Sequence, residues 1–460
     1  MNILSNRIKQ AFLLILDALI LLFSLYMALT LRYFEYPGDA LWQGHFMLFI
    51  PIFAIWLLTF YISNLYDFRK FINQSKLIEQ ISKSIFVAFL ISIIFLYLIP
   101  NRELSPKTNL IIFSVISYIF ILLWRLSFSL LNQKYLPNTN IGIIGYNEII
   151  RKTIYLIKNN EQLGYDIKFI LADNNHVMIE IAEHYGLNLI KDVNQLARSI
   201  KEHKINVLIL EKDVGEMKEL QKTLFNLLPT GINYCNLTSF YEEVSGQIPL
   251  EILNKGWFLE NLNLANKRNF ERVKRLYDLF FSFILLIIAL PFCILIAIII
   301  RLTSRGPAIF TQTRVGRGDK KFKFYKFRTM RVDNNNHAPT VKNDKRITRF
   351  GRFLRQTRLD ELPQLFNVLR GDMSFAGPRP ERPELIKELS GSIPFYGVRN
   401  LIKPGITGWD QISGEYHSPS VGDTYKKLQY DLFYIKNRSV SLDLSIILKT
   451  IRTAVSKEGR

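Results

Sequence analysis

Cysteine is almost missing from this 460-residue chain, which has only Cys235 and Cys293. Two thiols make no disulfide framework, and no Cys-x-x-Cys pair exists to hold zinc. A reducing compartment or a membrane suits that usage. The six histidines show no ligand spacing, so a zinc site is not expected. Acids are also scarce, 39 against 59 lysines and arginines, for a formal net charge of +20. Such a balance points to anionic partners: lipid headgroups and phosphorylated substrates, with nucleic acid as the rival.

A complete dinucleotide fingerprint is missing too. From Asn140 to about Leu262 the pattern alternates strands and helices, with strands at 141–145, 168–173 and 205–210. Gly-x-Gly-x-x-Gly beginning at Gly145 needs glycines where Asn147 and Ile150 stand. Asp173 falls where a ribose-binding acid would, a signal that carries little without the glycines. No Tyr-x-x-x-Lys pair occurs in the segment either. A structural or regulatory role is expected there, with a homodimer joined through this segment as one option.

Long apolar runs, by contrast, are plentiful. Four lie near the N-terminus, at 11–31, 46–65, 85–100 and 110–131. About 20 apolar residues cross a bilayer, and three of the four reach that length. The first is too long for the apolar core of a cleaved signal and has no cleavage site. Asp17 inside it is expected near the cytoplasmic interface or against a neighbouring helix. Arg7, Lys9, Arg69, Lys70, Lys76 and Lys134 flank the runs on one side, and Arg32, Arg102 and Lys107 on the other. The first side is therefore expected in the cytoplasm, where the chain emerges after the fourth run.

A fifth apolar run, 279–300, carries no charge and is also long enough to span. Spanning would carry a cationic tract to the far side, against the positive-inside tendency. Pro291 removes a helix hydrogen bond near its middle. The expectation is a re-entrant helix–break–helix over about 274–302 that enters and leaves by the cytoplasmic face. A plain fifth span is the alternative.

That tract, 301–358, holds 17 lysines and arginines against three acids. At its end stand two acids side by side, in Arg355-Gln356-Thr357-Arg358-Leu359-Asp360-Glu361-Leu362-Pro363-Gln364. Carboxylates in such a field suit a site for polyanions, where an acid holds a metal or attacks phosphorus. Locally, Asp360 reads as a helix N-cap, Pro363 as a first-turn residue and Gly371 as the stop. The helix dipole and nearby arginines are both expected to favour the ionised carboxylate. A capping Asp beside a solvated Glu is the plainer reading.

Downstream, Gly377-Pro378-Arg379-Pro380 fixes the backbone between prolines and presents one guanidinium, a bidentate phosphate binder; an ordinary surface turn has the same make-up. Upstream, Lys321-Phe322-Lys323-Phe324-Tyr325-Lys326-Phe327-Arg328 reads as a strand, with Lys326 and Arg328 on one face and Phe327 on the other. A charge-guarded edge strand is its alternative. The stretches 346–355 and 441–455 read as interfacial amphipathic helices, the second equally as a core helix.

Taken together, these residues resemble a known family. The pieces are Lys274-Arg275-x-x-Asp278, Gly306-Pro307, Gln312-x-x-Arg314-x-Gly316, Lys326-Phe327-Arg328-Thr329-Met330, Leu359-Asp360-Glu361-Leu362-Pro363-Gln364, Gly371-Asp372-Met373-Ser374, Gly377-Pro378-Arg379-Pro380 and Lys403-Pro404-Gly405-Ile406-Thr407-Gly408-Trp409. In that order they are similar to the bacterial polyprenyl-phosphate hexose-1-phosphate transferases. The resemblance implies an α/β membrane protein in three parts: a four-helix transmembrane domain at 1–136, a Rossmann-like α/β domain at 137–264, and a mostly helical catalytic domain at 265–460. The re-entrant helix and the interfacial helices would anchor the last. The family's common Ser-Pro break is Leu290-Pro291 here.

The resemblance also implies chemistry. An enzyme at the cytoplasmic face of the bacterial inner membrane would move a sugar-1-phosphate from a UDP-sugar to undecaprenyl phosphate and release UMP. That is the first membrane step of exopolysaccharide, capsule or O-antigen synthesis. Asp360 would attack the β-phosphorus, and Glu361 would hold Mg²⁺. Arg355, Arg379, Lys326 and Arg328 would bind phosphates. Membrane lipids rather than nucleic acid then answer the positive charge, and Trp409-Asp410-Gln411-Ile412-Ser413-Gly414-Glu415-Tyr416 is a place for sugar specificity. Two other classes compete. A membrane-tethered NAD-dependent nucleotide-sugar dehydratase or epimerase would need the missing glycines and Tyr-x-x-x-Lys. A non-catalytic polybasic membrane scaffold would not need Asp-Glu beside Gly-Pro-Arg-Pro.

Overall fold

The computed structural model describes residues 2–66, 74–98, 106–135, 138–160, 163–172, 176–211, 218–262, 264–331, 344, 346–413 and 420–456. Arg69, Lys70, Arg102, Asp173 and Gly414-Glu415-Tyr416 lie outside the described residues. The chain divides into two compact units, Met1–Ser245 and Gly246–Arg460.

The first unit opens with helices α1 (Asn2–Tyr33), α2 (Asp39–Ile62), α3 (Gln74–Leu98) and α4 (Pro106–Tyr135). Each carries most of one of the four apolar runs, and each is long and apolar enough to cross a membrane. They are apolar on all sides, as helices that face one another and lipid must be. Leu21, Leu25, Phe49, Trp56, Phe60 and Phe113 point inward, while Phe12, Phe23, Phe86, Ile94, Ile111 and Leu123 are exposed on the outside. Several polar side chains pair within. Asp17 meets Arg125 of α4 at 2.5 Å, and Arg125 also donates to the Leu65 carbonyl at 2.9 Å. Asp17 thus lies against a neighbouring helix, the second of its two expected places. Asn109 bonds the His45 ring at 2.7 Å and accepts from Arg32 at 2.9 Å.

Five parallel strands follow: β1 (Thr139–Ile144), β2 (Tyr165–Leu171), β3 (Asn188–Ile190), β4 (Val207–Leu210) and β5 (Asn233–Asn236), in the order β3-β2-β1-β4-β5. Helices α5 (Glu148–Lys158), α6 (His176–Tyr185), α7 (Leu196–Glu202), α8 (Lys218–Leu227) and α9 (Leu237–Ser245) accompany them. The buried runs of β1 and β4, paired Ile141 to Val207 through Ile144 to Leu210, suit a sheet covered on both faces. Strand order reverses at β1, so the C-terminal ends of β1 and β4 frame the crevice where such sheets take ligands.

The second unit begins earlier than the expected boundary at 264. Ile248, Leu250, Leu253 and Trp257, the last on α10 (Lys255–Asn261), pack with Leu389, Tyr396, Leu428, Leu432 and Ile435. These apolar side chains have no strand periodicity to enlist them in the sheet, and they fill the core of the domain that follows.

Helix α11 (Arg268–Thr303) runs for 36 residues with Pro291 inside it. The expected break is not a break in helical backbone, which continues through the proline. A proline costs a helix one hydrogen bond and bends its axis without having to end it. Phe280, Phe283, Ile287, Ile288 and Phe292 are exposed in its middle. Lys274, Asp278 and Ser282 towards one end, and Ile296 and Ile300 towards the other, are buried.

The remaining elements are the antiparallel pair β6 (Ile309–Val315) and β7 (Lys321–Phe327), then α12 (Arg349–Thr357), α13 (Gln364–Arg370), β8 (Ser374–Ala376), α14 (Pro383–Ser392), β9 (Gly405–Thr407), α15 (Val421–Asn437) and α16 (Val440–Ser456). Arg275 of α11 donates to the Val368 and Leu369 carbonyls at 2.6 and 2.7 Å, satisfying the last turn of α13. Ile296 and Ile300 pack with Ala308, Phe327 and Leu354, against which Leu359 and Leu362 also lie. Two of the surface-seeking stretches have mixed faces. Phe353 of α12 is exposed while Leu354 is buried, and Leu444 and Ile451 of α16 are exposed while Ile446 is buried.

Candidate active site

The two acids sit in a single 3-10 turn, Leu359–Glu361. Helix α12 starts where the Thr348 hydroxyl accepts from the Gly351 N–H at 2.9 Å, and it ends at Arg358 in the left-handed conformation, φ 55. That turn drives Leu359 and Leu362 onto the apolar cluster and Asp360 inward, where it is 8% exposed. Pro363 then holds the N-cap position of α13, and Gly371, φ 94, ends the helix as expected. Asp360 therefore caps nothing, contrary to its sequence reading. It stands one turn too early, and the left-handed Arg358 aims it into the protein.

Three cations from three elements face Asp360: Lys326 of β7, Arg355 of α12 and Arg379 of the loop after β8. Glu361 accepts from Arg379 Nη2 at 3.0 Å. Arg355 Nε donates to the Thr329 hydroxyl at 2.8 Å. Asn367 clips β7 in place, donating to the Lys323 carbonyl at 2.7 Å and accepting from the Tyr325 N–H at 3.2 Å. Among the described residues the Asp360 carboxylate accepts no hydrogen bond.

The expected downward push of the arginines on Asp360 is present but outweighed. Burial, reinforced by the neighbouring Glu361 charge, pushes its carboxyl up to about 6, outweighing Lys326, Arg355 and Arg379. Lys326 is shifted in the opposite direction. Burial and the nearby arginines bring its ammonium down to about 8, although Asp360 opposes them.

Arg328 is not brought into this cluster. The strand ends at Phe327, so period-two alternation no longer governs the next residue. Its Nη2 donates to the Ser304 carbonyl and hydroxyl at 2.7 and 2.8 Å, closing the end of α11.

What holds Arg379 was not visible in the sequence. Strands β8 and β9 pair so closely that a Cβ on Gly377 would stand 2.7 Å from the Lys403 carbonyl oxygen, and one on Gly405 2.2 Å from the Gly377 nitrogen. This is the physical reason for glycine at both positions. Arg399 Nη2 donates to the Arg379 carbonyl at 2.9 Å and pairs with Asp431 at 2.9 Å. Glu381 binds Lys427 at 2.6 Å and Arg314 at 3.4 Å. Burial raises the Glu381 carboxyl, but Lys427, Arg399 and Arg314 prevail and hold it at about 2. Glu381 could have been suspected because it directly follows Pro380. Arg399, Lys427 and Asp431 carry no local cue.

A UDP-galactose-lipid carrier transferase of Erwinia amylovora is 30% identical to the chain over 380 residues, 74% of this chain and 76% of that relative. A family model described as bacterial sugar transferase matches residues 269–457, the stretch that builds this site. The chain belongs to the bacterial sugar transferase family. A second model, described as CoA-binding domain, matches residues 61–227. Within the family, a UDP-N-acetylgalactosamine-undecaprenyl-phosphate N-acetylgalactosaminephosphotransferase of Aeromonas hydrophila is 42% identical over 189 residues, 41% of this chain and 44% of the relative. A UDP-glucose:undecaprenyl-phosphate glucose-1-phosphate transferase of Xanthomonas campestris pv. campestris is 32% identical over 325 residues, 67% of this chain and 65% of the relative. The chain thus spans less than two thirds of the length of these last two relatives.

Among the described residues no group of three or more His, Cys, Asp or Glu side chains converges as a metal cage. Mg²⁺ bound together with substrate phosphates needs only one or two carboxylates. Glu361 commits one oxygen, Oε1, to Arg379 and has a second to offer. The residues therefore fit a metal shared with phosphates, and not one held by protein alone.

Proposed function

We propose that the chain transfers a sugar-1-phosphate from a UDP-sugar to undecaprenyl phosphate, releasing UMP, at the first membrane step of exopolysaccharide, capsule or O-antigen synthesis. The relatives' names support this reading. The observation that carries it is Asp360, buried opposite Lys326, Arg355 and Arg379 with no hydrogen bond to its carboxylate among the described residues. A carboxyl of pKa about 6 is roughly nine-tenths ionised at pH 7. The cations that bind a diphosphate also stabilise the charge that develops as it is cleaved.

In this scheme a carboxylate oxygen of Asp360 bonds to the β-phosphorus. The bond from that phosphorus to the oxygen bridging the α-phosphorus breaks, and UMP leaves with the electron pair. A phosphate oxygen of undecaprenyl phosphate then attacks the same phosphorus. The aspartyl bond breaks, the carboxylate is restored, and undecaprenyl-diphosphate-sugar departs. Arg355 and Arg379 clamp phosphate oxygens, and Lys326 assists while protonated. Glu361 would hold Mg²⁺, which supplies charge neutralisation for the departing UMP.

The re-entrant reading of α11 belongs to the same proposal. Between Arg275 and Ile296 a straight helix rises about 31 Å, yet both residues return to one body built around α13 and its preceding turn. A bend at Pro291 allows that. It leaves the cationic tract on the side where the first four helices release the chain, the cytoplasmic face of the inner membrane.

The test uses membranes containing the full chain, a panel of UDP-sugars and Mg²⁺, with UMP measured. Lipid-phosphate-dependent UMP release is expected with at least one donor. With donor and no acceptor, digestion and mass analysis should find a sugar-phosphate on the peptide bearing Asp360; turnover without such an adduct rejects the covalent scheme.

A further inference from the structure

The α/β sheet has the strand order of a nucleotide-binding domain, and the CoA-binding model covers β1 to β4. Such folds take the diphosphate of a dinucleotide or of coenzyme A at the turn after β1, on free N–H groups at the start of the next helix. In this chain that place is filled from within. Glu211, the residue after β4, reaches across the crevice. Its Oε2 accepts from the Tyr146 N–H at 2.8 Å, and its Oε1 accepts from Asn147 Nδ2 at 2.7 Å.

The fit is close. Gly145 has φ +118, and a Cβ there would stand 2.4 Å from Glu211 Oε2. The approach is fixed by the ladder, since the Gly145 N–H donates to the Leu171 carbonyl at 2.9 Å and the Glu211 N–H to the Ile144 carbonyl at 3.1 Å. A further donor of the turn is also taken: Asn147 Oδ1 accepts from the Ile150 N–H at 2.8 Å, capping α5. An incoming diphosphate would meet a carboxylate where it needs vacant donors, and like charges so close repel. The residues present do not fit a dinucleotide or coenzyme A.

We propose that Glu211 is a built-in substitute for the phosphate, so that this domain keeps a nucleotide-binding architecture without taking a nucleotide diphosphate at its switch point. The carboxylate ties the β1–α5 turn to β4, which a bound ligand would otherwise do.

Equilibrium dialysis of the full chain in detergent tests this, with coenzyme A and NAD as probes and excess UMP present to keep them off the catalytic cluster. The wild type is expected to show no saturable binding up to about 1 mM, and Glu211→Ala to bind at least roughly tenfold more tightly than the wild type. Glu211→Gln keeps the shape and one acceptor without the charge, so it decides the matter should the alanine variant fail to fold; its binding should also rise. Saturable wild-type binding that neither substitution strengthens overturns the proposal. So does equal absence of binding in the wild type and in folded variants. UMP release should stay at the wild-type level in Glu211→Gln, so the catalytic reading stands or falls on other data.

Discussion

Glu211 and Asp360 are both carboxylates delivered by a turn to a place where an anion belongs, and they are treated in opposite ways. Glu211 is met by a fixed backbone N–H and a fixed side-chain amide. Asp360 is buried opposite three cations, and among the described residues no donor bonds its carboxylate. An acid that is already satisfied serves the fold. One whose burial is only partly offset is reserved for a bond still to be made, and its raised pKa records the cost.

The sharpest way to break this comparison is one substitution made in both places. Asp360→Asn should lower UMP release by about four orders of magnitude or more, as loss of a nucleophile does. Glu211→Gln should change it less than about twofold. Comparable effects at the two positions, measured as initial rates with equal amounts of folded protein, would dissolve the distinction. Next in size is Arg379→Lys. Lysine keeps the charge but loses the planar fork that touches Glu361. A fall of about 100-fold in kcat/KM is expected; a near-normal value would remove Arg379 from the phosphate clamp.

The pH profile comes third. Asp360 must be ionised to attack and Lys326 protonated to assist. Activity should therefore rise as pH passes about 6 and fall as it passes about 8. Each limb is about tenfold per pH unit once past its pKa. In Lys326→Arg, whose guanidinium stays charged, the alkaline limb should move upward and the acid limb remain. An unchanged alkaline limb assigns it to another group.

The same contrast explains what could be read from the sequence. Periodicity and composition are local, so the four apolar runs and strands β1, β2 and β4 were legible. Strands β3 and β5 were not, because Asn188–Ile190 and Asn233–Asn236 are too short and polar to show a period. Asp360 was recognisable as chemically important, but its environment was misjudged. The cap reading counts neighbours along the chain, whereas burial and the left-handed Arg358 are set by the whole domain. Arg328 failed for a related reason, since alternation was carried one residue past the end of β7. The supports of Arg379 were hidden because Arg399, Lys427 and Asp431 come from distant segments.

The smallest expected effect is on stability, and its sign is diagnostic. The folded chain holds the Asp360 proton up to about 6, against an ordinary 3.8. Between those values the native state binds more protons than the unfolded one, so stability is lost as pH rises through that window. Above it the loss is complete, at most about 3 kcal/mol. Asparagine carries no charge and escapes it. Substrate-free Asp360→Asn should therefore be more stable than the wild type by about 1–3 kcal/mol at pH 7.5, with the gap closing towards pH 4. Denaturation in detergent at both pH values measures this. A variant no more stable at pH 7.5 would mean that the carboxylate is compensated after all, as Glu211 is.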